Sequence, residues 1–324
     1  MSSVEPPAQP DDGVGRYLRR MQRLARIPWP CLWGVGSLFC RSHWGRRWIA
    51  WRGGIEGDVL TSARQLFDSM QLPPDRLQDE WTRVYQNALF EGILLARVPT
   101  LSPRQFARQF EAVGLERLEE ERLARRPIIL GGSHFGVPRL LALGCACHGV
   151  EVMSLEHDDL LAKMGAPKPA TFTVVEVGTG FKAQTTFRAL RHLQSGGCVH
   201  VTGDRQREHP EPRSYRRTFH GISRQYAQGM ANLSLLSGAT IFPSFCTLQA
   251  DGRVRIEIQP AIRPPTPPAP AGSPERDAQI GEVIHRFATV HEAEIEKTPG
   301  NQCWKRNPDA RLATDAGSPD TPIP

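Results

Sequence analysis

The chain is poor in paired cysteine chemistry. Its seven cysteines, at 31, 40, 145, 147, 198, 246 and 303, are odd in number and contain no Cys-x-x-Cys. That pattern indicates neither a disulfide framework nor a zinc site, and a reducing compartment is the simplest setting. Cys145, Cys147 and His148 would turn to different faces of a helix, so buried small side chains are expected there rather than metal ligands. A spanning helix needs ~20 apolar residues, whereas the stretch IPWPCLWGVGSLFC at 27–40 has 14 residues and two prolines. The first 15 residues are polar, acidic and proline-rich rather than a basic start followed by an apolar core, so export is not expected. Internal repeats, a nucleic-acid module and the Gly-x-Ser-x-Gly nucleophile elbow are also missing.

What is present is a chain of 324 residues, 40% hydrophobic, with a formal charge of +6 and a pI near 9.1. Such a chain can bury a sizeable core, as one large α/β domain or two smaller ones. Residues 1–14 and 307–324 are rich in Pro, Ser, Asp and Gly and read as disordered tails. Between residues 16 and 52 lie nine arginines, five of the seven tryptophans and no acid. Tryptophan favours the headgroup zone and arginine meets anionic lipid there, so 15–54 is expected to associate with a membrane surface. The competing reading is a core hairpin of helices with a basic solvated flank. Nucleic acid ranks below both, because no recognised module accompanies the arginines.

The remainder, 55–306, is expected to form one domain. Residues 55–126 carry apolar positions at helical intervals, interrupted by LPPD at 72–75. From 127 the pattern changes to short apolar runs alternating with helices: PIIL, then 138–148, VEVMSL, TFTVVEV, a helix over about 183–195, and CVHVTGD. This alternation predicts an α/β fold, a mixed sheet flanked by helices with a helical N-terminal region and reactive groups at strand ends. A helix near 224–237 follows, then a hairpin turning at Asp251-Gly252 with Val254, Ile256 and Ile258 at period two, and a final helix carrying Ile280 to Ile295. RPPTPPAPAGSPERD at 263–277 reads as an extended surface loop.

His134 stands just past the run PIILGG and before Pro138, which suits the first turn of a helix. Gly131 and Gly132 permit close backbone approach. A histidine at a strand end beside a helix start can take a proton from an attacking hydroxyl or amine, although a packing role fits the position as well.

Wider features bear on that choice. GRRWIAWRGG at 45–54, the stretch from FEGILLARV to GGSHFG at 90–136, GDRQ at 203–206, TFHG at 218–221, LSLLSGATIFPSF and the hairpin after it, and TPGNQCWKR at 298–306 occur in one order. In that order they resemble the lipid A biosynthesis acyltransferase family, lauroyl and myristoyl transferases that move a fatty acyl chain from acyl carrier protein to a hydroxyl. The resemblance runs from about 35 to 306. It implies an acyl thioester donor, no metal or redox cofactor, and peripheral association with the cytoplasmic face of the inner membrane. It also implies an HxxxxD/E dyad in which the histidine is the base and the carboxylate orients it.

His134 matches that histidine, but the carboxylate position holds Arg139. A cation there cannot accept the imidazole N–H. Three accounts are open. Another acid orients His134, with Glu156, Asp158, Asp159 and Asp204 all following apparent strands. Alternatively, His134 acts without a carboxylate on a nucleophilic amine or thiol, while Arg139 grips an anionic group. Or the scaffold binds an acyl chain or carrier protein without chemistry. Ser133 and Gly136 flank the histidine as substrate-binding candidates. Lys182 and Arg205, in a locally basic stretch, suit phosphopantetheine, coenzyme A or the acidic face of acyl carrier protein. SLEHDD at 154–159 replaces the family's Arg-Pro segment, and its acidity points away from lipid A, towards another lipid or an acylated secondary metabolite. An ordinary solvated loop or helix cap is the alternative for that segment.

Overall fold

A computed structural model describes residues 13–52, 57–177, 183–204 and 215–302. The tails expected at 1–14 and 307–324 fall outside these, apart from Gly13 and Val14, which begin the first helix. Five helices come first: α1 (Gly13–Leu24), α2 (Trp29–Arg41), α3 (His43–Arg52), α4 (Gly57–Ser69) and α5 (Pro74–Arg97). Next are α6 (Pro103–Gln109), β1 (Phe110–Val113), α7 (Leu115–Leu123), β2 (Ile128–Gly132), α8 (Leu141–Cys147), β3 (Val152–Glu156), α9 (Leu160–Lys163) and β4 (Phe172–Glu176). The chain continues through α10 (Ala183–Gln194), β5 (Cys198–Thr202), β6 (Tyr215–Phe219), β7 (Ile222–Tyr226), α11 (Gly229–Ser237), β8 (Thr240–Leu248), β9 (Val254–Ile258) and α12 (Pro274–Lys297).

Seven strands form one mixed sheet in the order β1-β9-β8-β2-β5-β3-β4. Its five strands from β8 to β4 run parallel, while β9 pairs antiparallel with β8 and parallel with β1. Parallel strands are covered on both faces, which is why PIIL reads as an unbroken apolar run. Ile128 and Leu130 point into the core cluster that includes α5, α6 and α8, whereas Ile129 points into the cluster of α10, α11 and α12. The last helix is bounded as its sequence dictates. The Ser273 side chain accepts from the Arg276 N–H, Pro274 opens the first turn, and Glu275 and Asp277 complement the helix dipole. Ile280, Val283, Ile284, Phe287 and Ile295 are buried along one face.

The predicted α/β architecture and the Asp251-Gly252 hairpin are present, with Gly252 at φ +84°. Three local expectations differ. Residues 110–113, placed in the helical region, form edge strand β1 beside β9. The helix expected near 224–237 starts only at Gly229, because 222–226 pairs with 215–219 as a hairpin. Its two-residue turn, His220-Gly221, has positive φ at both positions (47° and 72°), the geometry such a hairpin requires. The Pro-rich stretch at 263–277 is loop only as far as Ser273, where α12 begins.

Candidate active site

The loop after β2 carries the first functional side chain, and its course is fixed by packing. Phe135 is 1% exposed and lies against Phe245 at 5.5 Å between ring centroids. Burying such a ring contributes roughly 1.5–3 kcal/mol relative to exposure. Gly136 has φ +72°, and a Cβ there would sit 2.2 Å from the Cys246 carbonyl oxygen. Val137 N–H donates to the same carbonyl at 2.8 Å. Gly136 therefore sets the loop's path against β8. Gly132 faces His200, whose Nε2 would lie 2.5 Å from an added Cβ.

Strand register decides what meets His134. Strands β2 and β5 are parallel neighbours, with Gly132 opposite Thr202. The Gly203 N–H donates to the Gly132 carbonyl at 2.9 Å and carries the pairing one residue further. Two residues beyond each paired end stand His134 and Asp204. The His134 backbone N–H donates to both Asp204 oxygens, at 3.0 and 2.9 Å, and Nδ1 lies 2.9 Å from Oδ1. The Asp204 side chain is 2% exposed, against 26% for His134. Burial opposes ionisation of Asp204, but the charge and hydrogen bond of His134, with His291 and Arg224 nearby, hold it below the usual carboxylate range. An ionised Asp204 accepts a proton-bearing Nδ1, which leaves the Nε2 lone pair of a neutral imidazole as the basic atom.

His291 of α12 supports the pair from beneath. It is fully buried, 3.9 Å from Asp204 Oδ2, and ringed by Phe135, Tyr226, Phe245 and Phe287. Burial and the Arg224 charge push its pKa down to about 3 against the attraction of Asp204. A histidine titrates near 6.5 when unfolded, so between these values the unfolded chain binds the extra proton. The resulting stability is complete above about pH 6.5 and is lost as pH falls towards the folded value. His291→Gln should flatten the dependence of the urea midpoint on pH between about 5 and 7. An unchanged slope would count against a buried neutral His291.

The other anticipated acids are engaged elsewhere. Ser154 lies opposite His200, so Glu156 ends level with Thr202 on the far side of β5. Two strand spacings, roughly 10 Å, then separate Glu156 from β2. Its Oε1 accepts from Ser154 Oγ at 2.6 Å, and Ser154 Oγ is 2.8 Å from His200 Nδ1. Because the serine proton goes to Glu156, His200 Nδ1–H donates to the serine. A nucleophilic triad needs serine on the opposite ring nitrogen. His200 Nε2 instead faces Gly132 and has no hydrogen-bond partner among the described residues. Burial opposes ionisation of Glu156, yet His200, Ser154 and the Arg139 charge hold it below its ordinary value.

Asp158 pairs with Lys163 at 2.7 Å, while Asp159 caps α9 by accepting from the Ala162 N–H at 2.9 Å and also meets Lys168. Asp158 and Asp159 thus each meet a lysine, and Asp159 forms the helix cap that was the alternative reading of this segment.

Arg139 lies in a 3₁₀ turn over Pro138–Leu140. Its backbone N–H donates to Glu91 Oε1 at 3.2 Å, and its half-exposed guanidinium comes within 4.0 Å of Glu91 Oε2. Tyr17 of α1 packs over Gly92. Its phenol is pushed above its ordinary value by burial and the Glu91 charge, with Arg139 opposing. Ser133 Oγ is buried without a hydrogen-bond partner among the described residues. Lys182 and Arg205 lie outside the described residues. Glu91 and His291 were not anticipated. A lone acid in LFEGILL and a lone histidine on the apolar face of α12 were the available signals. Among the described residues, no group of three or more His, Cys, Asp or Glu is arranged to hold a metal ion.

No family model matches the chain, and no curated protein matches it significantly.

Proposed function

We propose that the chain is an acyltransferase acting on an acyl thioester of acyl carrier protein or coenzyme A, with a hydroxyl or amine as acceptor. The observation that carries this reading is the His134–Asp204 pair at the carboxyl ends of parallel strands β2 and β5. The resemblance to lipid A biosynthesis acyltransferases supports it, with Asp204 taking the part that their fifth-position carboxylate plays. His134 Nε2 removes the acceptor proton as the acceptor atom bonds to the thioester carbonyl carbon. The C–S bond then breaks, and the imidazolium returns the proton to the leaving thiolate. Asp204 keeps the ring oriented and compensates its positive charge. This chemistry uses neither a metal nor a redox cofactor.

Arg139, half-exposed in the turn five residues after His134, suits a phosphate of coenzyme A or phosphopantetheine. Exposed Arg188 and Arg191 on α10 add positive charge that complements an acidic carrier protein. The test is transfer of a labelled acyl group from carrier protein or coenzyme A to extracted lipids and to simple alcohols and amines. Labelled product that requires His134 supports the reading. Stoichiometric thioester binding without product supports the other reading, a scaffold that holds acyl chains or carrier protein, for which Arg139 in the carboxylate position is the specific motive. In the same assay Arg139→Ala should raise KM for acyl-coenzyme A about tenfold and leave kcat within about threefold. An unchanged KM would restrict Arg139 to its contact with Glu91.

A further inference from the structure

Among the described residues, nine large hydrophobic side chains stand exposed, and six of them lie between residues 27 and 51: Ile27, Val35, Leu38, Trp44, Trp48 and Trp51. Trp44 is 84% exposed, Trp51 73%, Val35 71% and Leu38 67%. Their spacing gives a ridge on each helix. Val35 and Leu38 share one side of α2, while Gly36 and Cys40 are buried on the other. Trp44, Trp48 and Trp51 form the exposed ridge of α3, opposite buried Ile49. A Phe39–Trp48 ring contact at 5.7 Å joins the two ridges. Clustered exposed apolar side chains of this size mark a contact surface.

Charge identifies the occupant. Arg41 and Arg47 stand exposed within the ridges, and Arg16, Arg19, Arg20 and Arg23 stand exposed on α1. No Asp or Glu occurs between residues 16 and 52. A second copy would bring two acid-free arginine faces together, which repel. Indole rings beside guanidinium groups instead fit the headgroup layer of an anionic bilayer. Among the described residues no helix is long and apolar enough to cross a membrane, so the contact is in plane.

Helix α5 links this face to the candidate active site. Phe90 packs on Trp29 and Trp33 at 5.5 and 5.0 Å, and Gln86 donates to Ser37 Oγ at 3.1 Å. One residue on from Phe90, Glu91 holds the Arg139 turn, while Gly92 seats Tyr17 of α1.

We propose that α2 and α3 dock in the interfacial layer of an anionic bilayer through Trp44, Trp48 and Trp51, and that α5 holds the His134 loop beside that layer, so the acceptor is drawn from the lipid. The docking stands independently of the acyltransfer reading; the source of the acceptor rests on it. The test is flotation of the full chain with phosphatidylcholine vesicles, with and without phosphatidylglycerol, followed by the variant W44Q/W48Q/W51Q. Wild type should float with the anionic vesicles and be released by salt, and the triple variant should bind at least about tenfold more weakly. Should that variant misfold, Val35→Gln with Leu38→Gln carries the same expectation. Undiminished binding by the folded variants, equal binding to neutral vesicles, or self-association in place of vesicle binding would each overturn the docking. With docking established, the triple variant should lose transfer to vesicle lipid and keep transfer to a soluble acceptor. Equal loss on both acceptors would overturn the lipid route alone, and absence of transfer by wild type would remove the acyltransfer reading while leaving the vesicle result intact.

Discussion

Replacing His134 with Ala is expected to lower kcat for acyl transfer by roughly 10²–10⁴-fold, the range that a positioned general base supplies. The loss should fall on kcat more than on KM, since the imidazole acts as the acceptor proton moves and not merely in binding. A structural consequence accompanies it. Asp204 keeps the backbone N–H of residue 134 but loses its bond to Nδ1. Removing one partner of a buried, hydrogen-bonded carboxylate costs about 1–3 kcal/mol. The sign of the pH effect follows from the lowered pKa of Asp204. Its stabilisation is present above the unfolded value of about 4 and is lost as pH falls through the folded one. The variant should therefore be less stable at neutral pH and should lose proportionately less on acidification below about pH 4, as urea midpoints at about pH 5 and about pH 2 would show. A variant that transfers at the wild-type rate would end the assignment of His134 as base.

Much of this architecture is legible in the sequence. The alternation after residue 127 indicates an α/β fold with a mixed sheet flanked by helices, and the Asp251-Gly252 turn indicates the hairpin; that five of the strands run parallel is shown by the structure alone. Gly131 and Gly132 signalled crowding, which the structure traces to Met230, Ile241 and Phe287 on one side and His200 on the other. Strand β1 escaped notice because four residues between helical segments carry too little periodicity. The β6–β7 hairpin escaped because histidine, rather than the asparagine or aspartate that usually marks such a turn, occupies its first position. The motif singles out His134, but the sequence leaves four acids as candidates for its partner. That choice depends on strand register, and register between strands 70 residues apart is a tertiary property. Once Gly132 is set against Thr202, Asp204 falls beside His134, whereas Glu156 lies across β5. Arg139 then need not mimic a carboxylate, and its backbone N–H and guanidinium lie against Glu91.

Asp204→Asn should be as damaging as loss of the base, with transfer falling on the order of 10⁴-fold at neutral pH. The substitution keeps the shape but removes one acceptor oxygen and introduces two N–H donors. Asp204 now accepts from the backbone N–H of His134 with both oxygens and from Nδ1 with Oδ1. An amide satisfies one side of this arrangement only by opposing a donor on the other. Where the amide nitrogen turns to Nδ1, the ring must place its proton on Nε2, the atom that should be basic. The charge that offsets the imidazolium is lost as well. His291 cannot replace it, because an imidazole carries no negative charge in either protonation state, and burial with the Arg224 charge keeps this one neutral at physiological pH. Since both residues serve one proton transfer, their effects should not add. The double variant of Asp204→Asn with His134→Ala should be about as slow as the slower single variant. Multiplicative losses would mean that Asp204 acts through the fold rather than through His134, and circular dichroism with unfolding midpoints on all three proteins separates the two cases.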